Sequence, residues 1–171
     1  MINIDAFRVV NDFPKQGIKF YDITTLMNNA DTLKEAFEEL LGAAKAVKPE
    51  VIVAMETRGY FFGPSLALAL GVPFVPIRKK GKLPYNTYSQ EYQLEYGVDS
   101  IEIHEDAMAE GKRVLVFDDI LATGGTASAA IELVKNFKPA SIDLLFIMEI
   151  TALNGIKRLS GATSVASLLS I

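Results

Sequence analysis

At 171 residues the chain suits a single domain, 1–171, able to bury roughly 70% of its unfolded surface. Half of its residues are hydrophobic and its net charge is −4, which argues against a nucleic-acid surface while leaving room for a local cationic pocket. The absence of cysteine excludes disulfides, thiol catalysis and Cys-ligated metal centres. No apolar run reaches the ~18 residues of a membrane span, and the start MINIDAFRVV lacks a secretion signal's basic-then-apolar layout, so a cytoplasmic protein with no membrane partner is expected.

Taken in order, strand-like and helix-like segments alternate, the pattern of an α/β fold with a mostly parallel sheet flanked by helices. The first thirty residues fit that alternation poorly and are expected to form a small hood, 1–30, over the sheet edge. Thr32 and Glu35 suggest a capping box; Leu33, Phe37, Leu40, Leu41 and Ala44 then share a helical face before Pro49 blocks continuation. A strand follows over 51–55. Residues 64–70 are apolar and helix-prone up to Gly71, and 72–77 reads as a strand placed at a sheet edge by its two prolines. Gly81, Pro84 and Gly97 bracket a polar, tyrosine-rich stretch, so 84–97 is expected to be a flexible lid rather than core. In IEIHED, His104 alternates with isoleucines and is expected to face solvent; with no second His or Cys near it, it implies no metal site. Further buried strands are expected over 114–117 and 142–148, with a helix over 127–137.

Residues 114–126 read VLVFDDILATGGT. The apolar run predicts a buried parallel strand, which puts Asp118 and Asp119 at its C-terminal end, the edge where open α/β sheets bind ligands. Ala122, Thr123, Gly124, Gly125 and Thr126 then supply backbone N–H groups and two hydroxyls that can wrap a phosphate at the positive end of the next helix. The carboxylates would face neutral hydroxyls and a metal, so the whole describes a phosphorylated-sugar site. It is not a P-loop, because no Lys follows the glycines, and it does not supply the GxGxxG of a dinucleotide turn. A second constellation, METRGY, places Arg58 where the 51–55 strand ends, either across the same edge as Asp118, or capping a helix or pairing with Glu56. A third packs Arg78, Lys79, Lys80 and Lys82 beside the lid, a cationic group suited to an anion such as pyrophosphate or to plain solvation.

The VLVFDDILATGGT stretch resembles the phosphoribosyl-diphosphate (PRPP) motif of type I phosphoribosyltransferases. That resemblance implies the single-domain type I fold with hood and lid, with Asp118 and Asp119 on the ribose hydroxyls and residues 122–126 on the 5′-phosphate. DFPKQGIKFYDITTL, ETRGY, RKKGKLP, LEYG and the C-terminal SVASLLSI extend the resemblance over nearly the whole chain, to the adenine phosphoribosyltransferases. It implies transfer of phosphoribose from PRPP to adenine, giving AMP and pyrophosphate in purine salvage, with Mg²⁺ held mainly by substrate and water. Adenine maps onto Ile18, Lys19, Phe20 and Tyr21, where Tyr21 replaces the family's usual Arg. Pyrophosphate maps onto Arg58, Arg78, Lys79, Lys82 and Tyr96, and onto a cis peptide at Glu56–Thr57. Enzymes for 6-oxopurines carry an Asp where this chain has Ala122, so the base proton passes by resemblance to Glu95 of LEYG. A homodimer is implied in which a basic residue of 78–82 completes the partner's pyrophosphate pocket. The competing expectations are another base, xanthine or orotate, and a PRPP-sensing regulator, for whose DNA-binding module the chain leaves no room.

Overall fold

The structure, a computed structural model, describes residues 2–93 and 97–171. Among the described residues, the chain forms a two-stranded hood sheet and a seven-stranded central sheet. The hood pairs β1 (Arg8–Asn11) with β2 (Lys19–Asp22) in antiparallel register. The short α1 (Thr24–Met27) follows, then α2 (Ala30–Val47), and β3 (Val51–Met55) opens the central sheet. After α3 (Gly63–Leu70) come β4 (Phe74–Lys79), β5 (Thr87–Gln93), β6 (Val98–His104) and β7 (Arg113–Leu121). The chain ends through α4 (Gly125–Lys135), β8 (Ser141–Glu149) and β9 (Ser164–Ser170). The central order is β5-β6-β4-β3-β7-β8-β9, parallel from β4 to β9, with β6 antiparallel to both β4 and β5.

Alternation along the central strands builds two cores. Val53 and Met55 of β3, Val114 and Val116 of β7 and Leu144 of β8 pack with Ala130, Ile131 and Val134 of α4. Ile52, Ala54, Leu115, Phe117 and Leu145 face the other way, against Ala36, Leu40 and Ala44 of α2 and Leu66 and Ala67 of α3. The hood is tied to this second core through Phe7, Ile23 and Leu26, and the Thr25 hydroxyl donates to the Ala6 carbonyl at 2.9 Å.

Several expectations are corrected. The cap of α2 is Asn29, whose side chain accepts from the Asp31 and Thr32 amides; Thr32 lies inside the helix and donates to the Leu26 carbonyl. A shorter Asx cap nearer the preceding turn displaced the Thr32–Glu35 box. Strand β4 is interior rather than at the edge, because β6 pairs with it only at Arg78 and Lys79, beyond Pro76, so the missing proline N–H breaks no ladder. Within the stretch expected as a lid, β5 pairs along its length with β6, and Tyr88 and Tyr92 pack on the α4 side of the core, which corrects only the expectation that it holds no core residue. Cross-strand tyrosines supply the apolar face that a count of aliphatic residues misses. His104 is not simply solvent-facing, since its Nε2 is buried without a hydrogen-bond partner and its ring meets that of Tyr85 edge-on at 6.5 Å.

Candidate active site

The site forms where β3 stops and β7 continues. The β3–β7 ladder ends at Ala54 opposite Phe117, whereas β7 runs on beside β8 through Asp118 and Ile120 to Leu121. Asp118 and Asp119 therefore sit near the C-terminal end of β7, in a stretch that has lost one neighbour and runs on to Leu121. Asp119 is buried, and its Oδ2 lies 2.9 Å from Nε of Arg58. That oxygen has no hydrogen-bond partner, so the contact is an ion pair without hydrogen-bond geometry. Asp118 keeps some exposure, and its Oδ1 accepts the Asp119 amide at 3.0 Å.

Burial pushes both carboxyl groups above the usual carboxylate range, Asp118 the further because the charge of Asp119 adds to it; Arg58 opposes the shift at both. The Arg58 guanidinium also lies 5.6 Å from the Phe20 ring centroid, which ties the hood to the acidic pair. Of the placements open to Arg58, across the edge, on a helix end or on Glu56, the structure has the first. Glu56 is taken by Arg78, at 3.1 and 3.4 Å, and by the Lys79 amide at 3.2 Å. Burial works against the Glu56 charge, yet these donors hold its carboxyl below the usual range. The Glu56–Thr57 peptide is cis. Tyr60, the last letter of METRGY, donates to the Ile77 carbonyl at 2.6 Å and so fixes this loop on β4. Gly59 lets the loop approach closely: a Cβ would stand 3.0 Å from the Phe117 carbonyl oxygen and 3.2 Å from Asp118 Oδ1, so those neighbours would have to shift.

Two neighbouring cavities share a wall. One, of about 160 Å³, is lined by Asp118, by each of residues 122–126 and by Arg58. Gly124, at φ 77°, caps α4 without a side-chain bond, which leaves the positive helix end to the cavity. The other, of about 240 Å³, lies under the hood and is lined by Ile18, Lys19, Phe20 and Tyr21 together with Ile120, Ile150 and Leu153. Arg58, Ile120, Ala122 and Thr123 belong to both. A polar phosphate-sized hollow thus opens beside an apolar slot that a planar ring fits. Arg78, Lys79 and Lys82 line neither: Arg78 is on Glu56, Lys79 Nζ is 3.0 Å from Asp99, and Lys82 is exposed. Glu95 and Tyr96 lie outside the described residues. Ile120, Ile150, Leu153 and Gly155 were missed from sequence. Ile150 could have been found, since it follows directly on the β8 run at the ligand-binding edge of the sheet.

This geometry, a carboxylate pair at a strand end followed by a glycine-rich phosphate loop, is that of a phosphoribosyl transferase domain, and the family model of that description matches residues 21–158. The adenine phosphoribosyltransferase of Caldanaerobacter subterraneus subsp. tengcongensis is 48% identical over 157 residues, 92% of this chain and 91% of that protein. The crystal structure of adenine phosphoribosyltransferase from Thermoanaerobacter pseudethanolicus superposes with a TM-score of 0.92 at 47% identity, covering 98% of this chain and 96% of the other. The Saccharomyces cerevisiae enzyme, crystallised with an imino-altritol bisphosphate and adenine, gives a TM-score of 0.85 at 42% identity, over 95% of this chain and 94% of its own. The chain belongs to the adenine phosphoribosyltransferase family.

Proposed function

We propose that the protein transfers the 5-phosphoribosyl group of PRPP to adenine, forming AMP and pyrophosphate as a purine-salvage enzyme of the cytoplasm. The observation that carries this is the shared wall of the two cavities: a phosphate hollow lined by Asp118 adjoins an apolar slot beside Phe20. Residues 122–126 hold the 5′-phosphate, and Asp118 and Asp119 accept hydrogen bonds from the ribose hydroxyls. The adenine ring lies against Phe20, Ile120, Ile150 and Leu153, with the hood backbone around Ile18, Lys19 and Tyr21 reading its edge.

In the reaction the C1′–oxygen bond to pyrophosphate breaks as a ring nitrogen of adenine bonds to C1′. The ribose passes through an oxocarbenium-like state from which water must be kept. Arg58, Arg78, Lys79, Lys82 and Tyr96 draw off the charge of the leaving pyrophosphate, and Glu95 takes the proton that the base gives up. Arg78 and Lys79 must first exchange Glu56 and Asp99 for the phosphate oxygens.

The donor set fits Mg²⁺ carried in with the substrate. Asp118, which lines the phosphate hollow, would offer a hard oxygen, while substrate and water would supply most of the ligands, since Asp119 Oδ2 is buried against Arg58. When bound, the ion supplies neutralising charge at the diphosphate. A homodimer in which a basic residue of 78–82 reaches the partner's site belongs to the proposal on resemblance alone, and sedimentation decides it. No described helix is long and apolar enough to cross a membrane.

The activity is tested by incubating the protein with Mg²⁺, PRPP and adenine. AMP and pyrophosphate are expected in equal amounts; pyrophosphate release without AMP would overturn the transfer.

A further inference from the structure

Residues 150–158 leave the end of β8, line the apolar slot with Ile150 and Leu153, and then approach the backbone of the phosphate loop at Gly155. The Ile150 amide donates to the Leu121 carbonyl at 2.9 Å, holding the start of the segment to β7. Thr151 is then held twice by one acceptor: its amide, at 2.8 Å, and its hydroxyl, at 2.5 Å, both donate to the Ile171 carbonyl, just past β9. Ile171 is itself fixed, since its amide donates to Glu149 at 2.9 Å. On either side of Thr151, Ile150 and Leu153 turn into the apolar slot.

A few residues later the same segment meets the phosphate loop backbone to backbone. Gly155 is buried, and a Cβ on it would overlap the Ala122 carbonyl oxygen; a Cβ on Gly124 would in turn overlap the Gly155 carbonyl. Two glycines are thus interlocked at a separation no side chain permits. Gly124 carries a second constraint, its φ of 77°, whereas the constraint on Gly155 is the contact alone.

We propose that residues 150–158 form one strut serving both subsites, in which Thr151 is a positioning residue for the base and Gly155 a positioning residue for the 5′-phosphate loop. Neither touches substrate. Thr151 sets the depth of the Ile150–Leu153 wall through its two hydrogen bonds to the Ile171 carbonyl, and Gly155 sets the position of Ala122 and Gly124 by letting its backbone pack directly against theirs. The proposal rests on the assignment of the apolar slot to adenine and of the loop to phosphate made above.

The test is a split between the two KM values. Thr151→Val keeps shape and amide but loses the hydroxyl donor, and it is expected to raise the KM for adenine ~3–10-fold, the scale of one hydrogen bond, with the KM for PRPP little changed. Thr151→Ser should restore the parent value. Gly155→Ala should act mainly on the KM for PRPP, and a parent-like PRPP KM in that variant would overturn the role given to Gly155. Ile150→Ala, which cuts the slot wall directly, separates the two ways of failing. If it raises the adenine KM while Thr151→Val does not, the strut is overturned and the slot assignment stands. If neither variant changes the adenine KM, the slot assignment fails and the strut falls with it. An equal rise in both KM values for Thr151→Val would show general loosening and also overturn the proposal.

Discussion

Asp118→Asn is expected to raise the melting temperature of the ligand-free protein at neutral pH while removing most of its turnover. The folded-state carboxyl of Asp118 lies well above its ordinary value because the fold buries it beside Asp119. The sign follows from linkage: a carboxyl whose folded value is raised contributes stability below the unfolded value, and that contribution is lost as pH rises through the folded one. At pH 7 the aspartate therefore costs stability, and the neutral amide of the same shape removes that cost. A gain of about 1 kcal/mol would appear as ~2–4 °C for a chain of this size. The gain should shrink as pH falls through the raised folded-state value and be gone below ~4, where the unfolded chain's aspartates are themselves protonated. Turnover moves the other way, because an amide cannot replace a charged acceptor at a ribose hydroxyl; hydrogen bonds to charged groups carry ~1.5–3 kcal/mol, so kcat/KM for PRPP should drop ~10–100-fold. Calorimetric melting across pH, together with steady-state kinetics, checks both. A destabilised variant with unchanged kcat/KM would remove Asp118 from the site and make it structural.

Glu95→Gln is expected to lower kcat ~10²–10⁴-fold, the usual contribution of a positioned proton transfer, while leaving the PRPP KM and the melting temperature close to the parent's. Gln keeps the size and polarity of the side chain, but it cannot take a proton from the base. Ala122 sharpens the expectation: a methyl group stands where the 6-oxopurine enzymes, by resemblance, carry an acid, and it lines both cavities without offering a proton acceptor. A kcat near the parent's across the pH range would mean that solvent or another group serves the base nitrogen.

The acidic pair and its loop were legible because strand, carboxylates, glycines and helix follow one another within residues 113–135, so their order in sequence is their order in space. Local adjacency needs no knowledge of the rest of the fold. Phe20 and Arg58 were legible one at a time, but their stacking over the acidic pair joins the hood to the sheet and has no local signal. Pro76 misled for the opposite reason: a proline weighs against an interior strand only where a neighbour needs its N–H, and β6 begins pairing two residues further on. The tyrosines of β5 read as part of the lid because Gly81, Pro84 and Gly97 bracket a largely polar stretch with one aliphatic residue. Only the packing of Tyr88 on Phe137, with ring centroids 5.7 Å apart, shows their apolar side at work. Gly155 lies in an Asn-Gly pair that reads as an ordinary turn. Its role depends on a backbone thirty residues earlier.

The central claim is that the apolar slot selects adenine, and competition among bases tests it most directly. With PRPP and Mg²⁺ held constant, adenine, hypoxanthine, guanine, xanthine and orotate compete for the phosphoribosyl group. A slot whose backbone groups pair with an exocyclic amine leaves them unpaired against a carbonyl, and sites built on such a pairing reject the analogue by factors up to ~10⁴–10⁵. AMP is therefore expected as essentially the sole nucleotide product, with kcat/KM for adenine orders of magnitude above that for hypoxanthine. Comparable turnover of hypoxanthine or guanine would contradict the assignment of the slot and of Ala122.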